Sequence, residues 1–134
     1  MKRKILVITA SKSIRFLLHT VLSEQFSAIT ASEAGDAMYW LTRSELPSAI
    51  VVDPELPDTA NWEIVEYFKT SELYKNIPMV VISSLEEEEI ATVCTRYDVE
   101  AAFHKPFNPV DLIKALEALT KSPVAGSKKL LKVV

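Results

Sequence analysis

Five short apolar runs, each followed by residues with helical spacing, constrain the fold of this chain more than any other feature. The runs are continuous rather than alternating with polar residues, which is typical of strands covered on both faces. They lie at residues 5–8, 28–31, 49–52, 79–82 and 101–103. Five β-α units in strict alternation predict an α/β fold with a doubly wound, five-stranded parallel sheet. We expect the strand order 2-1-3-4-5.

The segments after these runs have the pattern of amphipathic helices. The first repeats apolar residues with a period of one helical turn, at Ile14, Leu17, Leu18, Val21 and Leu22. Each predicted helix follows a residue that favours the N-cap position: Ser11, Ser32, Asn61, Ser84 and Asn108. Ser84 and Glu87 also have the spacing of a capping box. We predict one domain over residues 1–121, followed by a linker and a basic, apolar tail over residues 122–134, to which we assign no function.

The charge of the chain argues against binding to nucleic acid or to an anionic membrane. Its 15 basic and 18 acidic residues give a net charge of −3, so the chain has no overall cationic field. No apolar stretch approaches the roughly 18 residues of a membrane span, and the apolar run near the N-terminus is too short for a signal peptide. We therefore expect a cytoplasmic chain with neither nucleic acid nor membrane as a partner.

Three scarce residue types exclude further classes of site. The chain has only two glycines, Gly35 and Gly126, whereas the glycine-rich loops that bind nucleotide phosphates need several. One cysteine, Cys94, and two histidines, His19 and His104, are too few for a cysteine-rich zinc site or a histidine cluster. We expect neither a nucleotide site of those types nor a structural metal.

Polar residues lie at the predicted carboxyl ends of the strands, where ligand sites of such sheets form beside the switch point in strand order. Thr9 and Ala10 follow strand 1, Asp53 follows strand 3, Ser83 ends strand 4 and Lys105 follows strand 5. We expect Asp53, Ser83 and Lys105 to lie close together at this edge of the sheet. A carboxylate that faces a lysine and a serine hydroxyl has two interpretations: a buried ion pair that fixes the loops, or an acceptor of phosphoryl groups.

These residues resemble the receiver domain of two-component response regulators. The resemblance covers residues 3–121 and rests on Asp53, Pro57, Ser83 and the sequence Lys105-Pro106-Phe107. It implies a flavodoxin-like fold with Asp53 as the phosphoacceptor. It also implies that Lys105 pairs with the phosphoryl group, that Ser83 hydrogen-bonds it, and that the Glu55 carbonyl helps to hold a divalent metal.

The first departure from the family pattern concerns that metal. Receivers carry an acidic pair after strand 1, and here Thr9 and Ala10 occupy these positions; no Asp or Glu precedes Glu24. Loss of the metal ligands removes a principal catalytic element of phosphoryl transfer. We expect a degenerate metal site, with Mg²⁺ bound only if the side chain of Glu55 or Asp58 compensates.

The second departure concerns the switch position three residues before the lysine. The family usually has an aromatic residue there, and this chain has Ala102. Coupling between Ser83 and the surface formed by helix 4, strand 5 and helix 5 should therefore be weak. Strand alternation places Phe103 on the opposite face from Ala102 and His104.

Three functions remain open at this point. The first is a pseudo-receiver, with no catalytic activity of its own, that docks to protein partners through the face of helix 4, strand 5 and helix 5. The alternative is a working phospho-switch, phosphorylated on Asp53 by a histidine kinase or a phosphotransfer protein. The third is a flavodoxin-like cofactor binder, because Thr9, Ser11 and Ser13 form a hydroxyl-rich loop at a helix N-terminus.

Overall fold

The computed structural model describes residues 2–121, in which five strands alternate with five helices. The elements are β1 (Arg3–Ile8), α1 (Lys12–Leu22), β2 (Phe26–Ala31), α2 (Ala34–Leu41), β3 (Ala49–Val52), α3 (Glu63–Thr70), β4 (Met79–Ser83), α4 (Glu87–Tyr97), β5 (Ala101–His104) and α5 (Pro109–Lys121). All strand pairs are parallel, in the order β2-β1-β3-β4-β5. The predicted fold class and strand order are confirmed. The predicted linker and tail over residues 122–134 lie outside the described residues.

The sheet has an apolar core on each of its two faces, which explains the continuous apolar runs. Every residue of β3 and β4 is buried. On one face, strand residues such as Leu6 and Val52 pack with α2, α3 and α4, and on the other, residues such as Val7 and Val51 pack with α1 and α5. Successive strand residues therefore enter opposite cores, as the pleat requires.

Four strands are longer than their apolar runs. β1 begins at Arg3 and β2 at Phe26, and these two residues pair in the ladder, followed by Lys4 with Ser27. β4 extends to Ser83 and β5 to His104, and these two residues also pair. Backbone pairing continues where the side chains are polar or partly exposed, so hydrophobicity alone underestimates strand length.

Two of the predicted N-caps are present. The Ile14 N–H donates to Ser11 Oγ (3.2 Å) at the start of α1. The Val110 N–H donates to Asn108 Oδ1 (2.8 Å) at the start of α5. On the buried face of α1, Leu18 and Leu22 are buried as the periodicity predicts, whereas Leu17 is exposed.

The other three predicted N-caps are wrong. Glu33, Trp62 and Glu86 occupy these positions instead of Ser32, Asn61 and Ser84, and none of the three caps its helix with a side-chain hydrogen bond. Ser32 Oγ donates to Asp36, and the Leu85 N–H donates to Ser83 Oγ, so α4 begins only at Glu87. The predicted capping box therefore does not form, because Glu87 is already the first residue of the helix.

A buried ion pair lies at the amino ends of β4 and β5. Lys69 Nζ of α3 donates to both carboxylate oxygens of Glu100, at 3.1 and 3.2 Å. Glu100 Oε1 also accepts from the Met79 N–H at 2.9 Å. The pair therefore ties the end of α3 to the beginnings of two strands.

None of the helices in residues 2–121 is both long enough and apolar enough to span a membrane.

Candidate functional site

The parallel ladder brings the carboxyl ends of the central strands together. The Asp53 N–H donates to the Ile8 carbonyl at 2.9 Å, which fixes the end of β3 against the end of β1. The Lys105 N–H donates to the Ser83 carbonyl at 2.8 Å, which fixes the end of β5 against the end of β4. The segment that carries Lys105 then turns at a cis Lys105–Pro106 peptide bond.

Asp53 is the buried carboxylate of this edge. It is only 4% exposed, and both of its carboxylate oxygens are hydrogen-bonded. Oδ1 accepts from the Glu55 N–H at 3.0 Å, and Oδ2 accepts from Lys105 Nζ. The Lys105 side chain is 21% exposed, so water reaches the cationic end of the pair. The structure thus joins the two residues that the sequence predicted to face each other.

Ser83 is buried at the end of β4. Its Oγ accepts from the Leu85 N–H at 3.1 Å, which shapes the first turn of the chain after the strand. A hydroxyl that accepts one hydrogen bond keeps its own proton to donate. Ser83 therefore retains a donor at the same edge as Asp53.

The residues after β1 present a hydroxyl and a methyl group where the resemblance to receiver domains implies carboxylates. Thr9 is fully buried and Ala10 is exposed. Thr9 Oγ1 accepts from the Ser11 N–H at 3.2 Å, and the Thr9 carbonyl accepts from Arg15 Nη1 at 2.8 Å. Arg15, seven residues after the end of β1, was not predicted to take part, because its partner is a backbone carbonyl.

The two acids that were considered as replacement ligands lie in the loop after β3, and both are exposed. The Asp58 carboxylate accepts from the Ala34 N–H and the Gly35 N–H, each at 2.9 Å. These hydrogen bonds, first that of Ala34 and then that of Gly35, lower the pKa of Asp58. Asp58 thus caps α2 from a distant loop, and nothing local to α2 in the sequence indicates this role. Glu55 contributes its N–H to Asp53.

A groove of about 500 Å³ runs between α4 and β5. Ala102, the predicted switch position, lies on its wall and packs against the core under α4. Phe103 packs against the core on the opposite face of the sheet but, like His104, also borders the groove. A small side chain at position 102 thus coincides with open space between helix and strand.

No three His, Cys, Asp or Glu residues between positions 2 and 121 are grouped so that they could hold a metal ion. Lys105 pairs with Asp53, and Arg15 of α1 binds the backbone carbonyl of Thr9 after β1.

Comparison with known proteins supports a single family. A family model for the response regulator receiver domain matches residues 5–117. The phosphate regulon transcriptional regulatory protein PhoB of Escherichia coli is 27% identical over 128 residues, which cover 93% of this chain and 56% of PhoB. The chain therefore spans about half the length of this curated relative.

Solved structures share the fold. The receiver domain of the Francisella response regulator 1452 superposes with a TM-score of 0.79 at 21% identity, covering 89% of this chain and 97% of that one. The chemotaxis response regulator CheY4 of Vibrio cholerae superposes with a TM-score of 0.77 at 23% identity, covering 89% and 99%.

Proposed function

This chain belongs to the response regulator receiver domain family, and from that premise we propose that it is a pseudo-receiver. In this proposal it is a two-component signalling module, with no catalytic activity of its own, that docks to protein partners without efficient Mg²⁺-dependent phosphorylation. Residues 1–121 form the receiver unit, and residues 122–134 are a linker and tail. The match over residues 5–117 supports that division.

The observation that supports the proposal concerns the oxygen atoms near Asp53 that are free to bind a metal ion. Mg²⁺ requires nearly octahedral coordination by oxygen atoms. Thr9 and Ala10 bring no carboxylate to the site, and both Asp58 oxygens are already hydrogen-bonded to α2. Asp53 itself is bound to Lys105 and to the Glu55 N–H. These residues do not fit a Mg²⁺ site, so we derive no metal-dependent step.

Asp53 and Lys105 then act on each other rather than on a phosphoryl group. Their pair joins the ends of β3 and β5, and the neighbouring backbone bonds join β3 to β1 and β5 to β4. Removal of one member of a buried pair leaves the other charge uncompensated. The pair therefore holds four strand ends in one arrangement without any ligand.

The docking face in this proposal is formed by α4, β5 and α5. Family membership supports protein partners in two-component signalling. With Ala102 in place of an aromatic residue, the surface next to α4 does not depend on rotation of a ring at that position. A partner would therefore meet one constitutive surface.

A working phospho-switch is the second candidate, and one observation favours it. Asp53, Ser83 and Lys105 all lie at the same edge of the sheet, and the partly exposed Lys105 leaves the site open to solvent. In this alternative, a histidine kinase or a phosphotransfer protein phosphorylates Asp53. Mg²⁺ then binds only with help from the side chain of Glu55 or Asp58.

The cofactor-binding hypothesis is less favoured. The hydroxyls of its loop are used within the loop: Thr9 Oγ1 binds the Ser11 N–H, Ser11 Oγ binds the Ile14 N–H, and Ser13 Oγ lies 3.3 Å from Ser11 Oγ. Family membership also favours the receiver interpretation.

The test is a Mg²⁺ titration of the full chain followed by treatment with a small phosphodonor. We expect no saturable change in the amide spectrum up to about 20 mM Mg²⁺, and no added phosphate in the intact mass. Asp53→Asn is the control for the site of modification. Ala10→Asp, at an exposed position, tests whether one restored carboxylate is enough to produce a response. A phosphate adduct on the unmodified chain that Asp53→Asn abolishes would establish the phospho-switch instead.

A further inference from the structure

The groove between α4 and β5 is open to solvent and apolar within. Ile90 and Cys94 of α4 are buried on its inner side, whereas Ala91 and Thr95 of the same helix are exposed at its border. Ala102 lies on the strand side. The volume of about 500 Å³ lies within the range of roughly 300–1,000 Å³ of sites that enclose a ligand.

Ala102 leaves room in this groove. Its side chain ends at Cβ and packs against the core under α4, so no side chain extends from this position into the space beside it. An aromatic side chain buries roughly 150–250 Å². A large apolar side chain supplied by a partner could therefore bury its surface in the groove, where this chain has no large side chain of its own.

The charges at the mouth of the groove are acidic. Glu87 borders the groove, and Glu88 and Glu89 lie in the same first turn of α4. Glu100 also borders it, but its charge is compensated by Lys69 inside the fold. His104 is the titratable group from β5. A second copy that docked through this same face would bring its own acidic turn against the first, which like charges oppose.

We propose that this groove receives one large apolar side chain from a protein partner, in a segment whose flanking residues are lysine or arginine. The inference rests on the docking function proposed above and names the chemistry of the partner. The apolar side chain fills the space beside Ala102, and the basic residues contact the first turn of α4. Together they give the face a preference for one kind of segment, because acidic segments are repelled at the mouth.

The test uses three blocked peptides and the isotope-labelled full chain, without Mg²⁺ or phosphodonor. The first peptide is Lys-Lys-Trp-Leu-Lys-Lys; the second has glutamate in place of every lysine, and the third has alanine in place of tryptophan and leucine. We expect amide shifts in α4 and β5 with the first peptide, and affinities at least about tenfold weaker for the other two. Equal affinities, or shifts confined to other elements, would overturn the proposal.

Variants locate the binding. Ala102→Phe should weaken the first peptide by about tenfold or more, because the new ring fills the groove. Thr95→Arg, at an exposed position of α4, blocks the mouth without a change in the core and guards against a folding defect. Glu87→Lys should weaken binding, whereas Glu66→Lys makes the same charge change on α3 and should not. Unchanged affinity in both Ala102→Phe and Thr95→Arg would refute the groove as the site.

Other occupants give different results. If the groove were taken by the basic tail of this same chain, Leu130→Asp with Leu131→Asp would raise the affinity for the first peptide. If it were taken by a second copy, the chain would sediment as a dimer that the peptide dissociates. Either result would overturn the proposal. A phosphate adduct on Asp53 would refute the pseudo-receiver function without changing the peptide result, so the two failures are distinguishable.

Discussion

The two buried ion pairs within residues 2–121 differ in how much water reaches their lysines. The Lys69 side chain is 7% exposed and that of its partner Glu100 is 8%, whereas the Lys105 side chain beside Asp53 is 21% exposed. A pair that is closed to water can only hold the structure together. A pair whose cation reaches solvent can also meet another molecule. Of the two pairs, Asp53–Lys105 is thus the one that is accessible to another molecule.

Lys69→Met should be strongly destabilising. The substitution keeps the length of the side chain but leaves the Glu100 charge buried without its partner, at a cost of about 3–5 kcal/mol. The free energy of unfolding in urea measures the loss. The matched control is Lys75→Met, since Lys75 pairs with Glu72 on the surface, and exposed pairs contribute less than about 1 kcal/mol. Similar small losses in both variants would contradict the structural role of the Lys69 pair.

Single residues at the strand ends could be predicted because their position follows from the strand order. Asp53 and Lys105 are 52 positions apart, yet both come directly after a strand. Lys69 and Glu100 carried no such signal, since their pairing depends on how α3 lies over the start of β5. Arg15 escaped notice for a related reason: its partner is a backbone carbonyl, which no sequence pattern marks.

At the scale of elements, α2 depends on a loop that is distant in sequence. Its own N-cap residue, Glu33, makes no side-chain hydrogen bond, and Asp58 supplies the acceptors for two of its first N–H groups. A carboxylate at a helix N-terminus is also favoured by the helix dipole. The loop after β3 therefore stabilises α2 as well as carrying residues around Asp53.

The stability contributed by Asp58 should disappear in acid. Because the pKa of Asp58 is lowered in the folded chain, the folded state favours the ionised form, and this stability is present above the ordinary aspartate pKa. It is lost as pH falls through the lowered pKa. Asp58→Asn should therefore be less stable than the unmodified chain at pH 7, with the difference shrinking in strong acid.

Urea midpoints measured at several pH values check this dependence. Glu55→Gln removes another exposed carboxylate from the same loop and should leave the pH dependence of stability nearly unchanged. A difference for Asp58→Asn that persisted in strong acid would show that the carboxylate charge is not the cause.

The end of α4 offers a stabilising substitution. Asp98 adopts the left-handed conformation (φ 59°) at the C-cap, and the following Val99 N–H donates back to the Cys94 carbonyl at 2.9 Å. Glycine adopts this conformation without steric cost, and its introduction removes a negative charge from a helix C-terminus. Asp98→Gly should raise the free energy of unfolding by about 0.5–1 kcal/mol.

Thermal or urea unfolding of Asp98→Gly measures the gain. Asp98→Asn removes the charge but keeps a side chain that tolerates the left-handed region, so its gain should be smaller. Destabilisation by glycine would mean that the Asp98 side chain has a role of its own.

The existence and order of the elements were predictable because each carries its own periodicity, whereas the helix starts were less so. Ser11 and Asn108 cap their helices locally and were predicted correctly. The acceptor for α2 comes from Asp58, more than twenty residues away. Trp62, the N-cap residue before α3, has a left-handed conformation (φ 68°) that is more usual for glycine or asparagine. The start of α2 and the start of α3 both depend on how the loop after β3 packs.

At the scale of the whole molecule, the single cysteine, Cys94, lies on the inner side of the groove between α4 and β5, so its labelling reports on access to that groove and on opening of the fold. Burial raises the pKa of the Cys94 thiol to about 11, so at pH 8 it holds about one hundredth of the thiolate of an ordinary cysteine. A thiol reagent at pH 8 should therefore label the native chain at least about 100-fold more slowly than a free cysteine.

Lys69→Met should accelerate this labelling, because a less stable fold opens more often. Intact-mass measurements over time give both rates. Labelling of the native chain at the rate of a free thiol would show that Cys94 is open to solvent in the folded state.

The position of α5 after all five strands determines when one face of the sheet is covered during synthesis. Leu112, Leu116 and Leu119 of α5 complete the core against one face of the sheet, and every strand that they cover is translated before them. A ribosome adds about 5–20 residues per second, so the 13 residues of α5 take roughly one second or more to make. A helix forms in about a microsecond once it is free. The rate of translation, rather than that of folding, thus decides how long this face of the nascent sheet stays uncovered and within reach of chaperones.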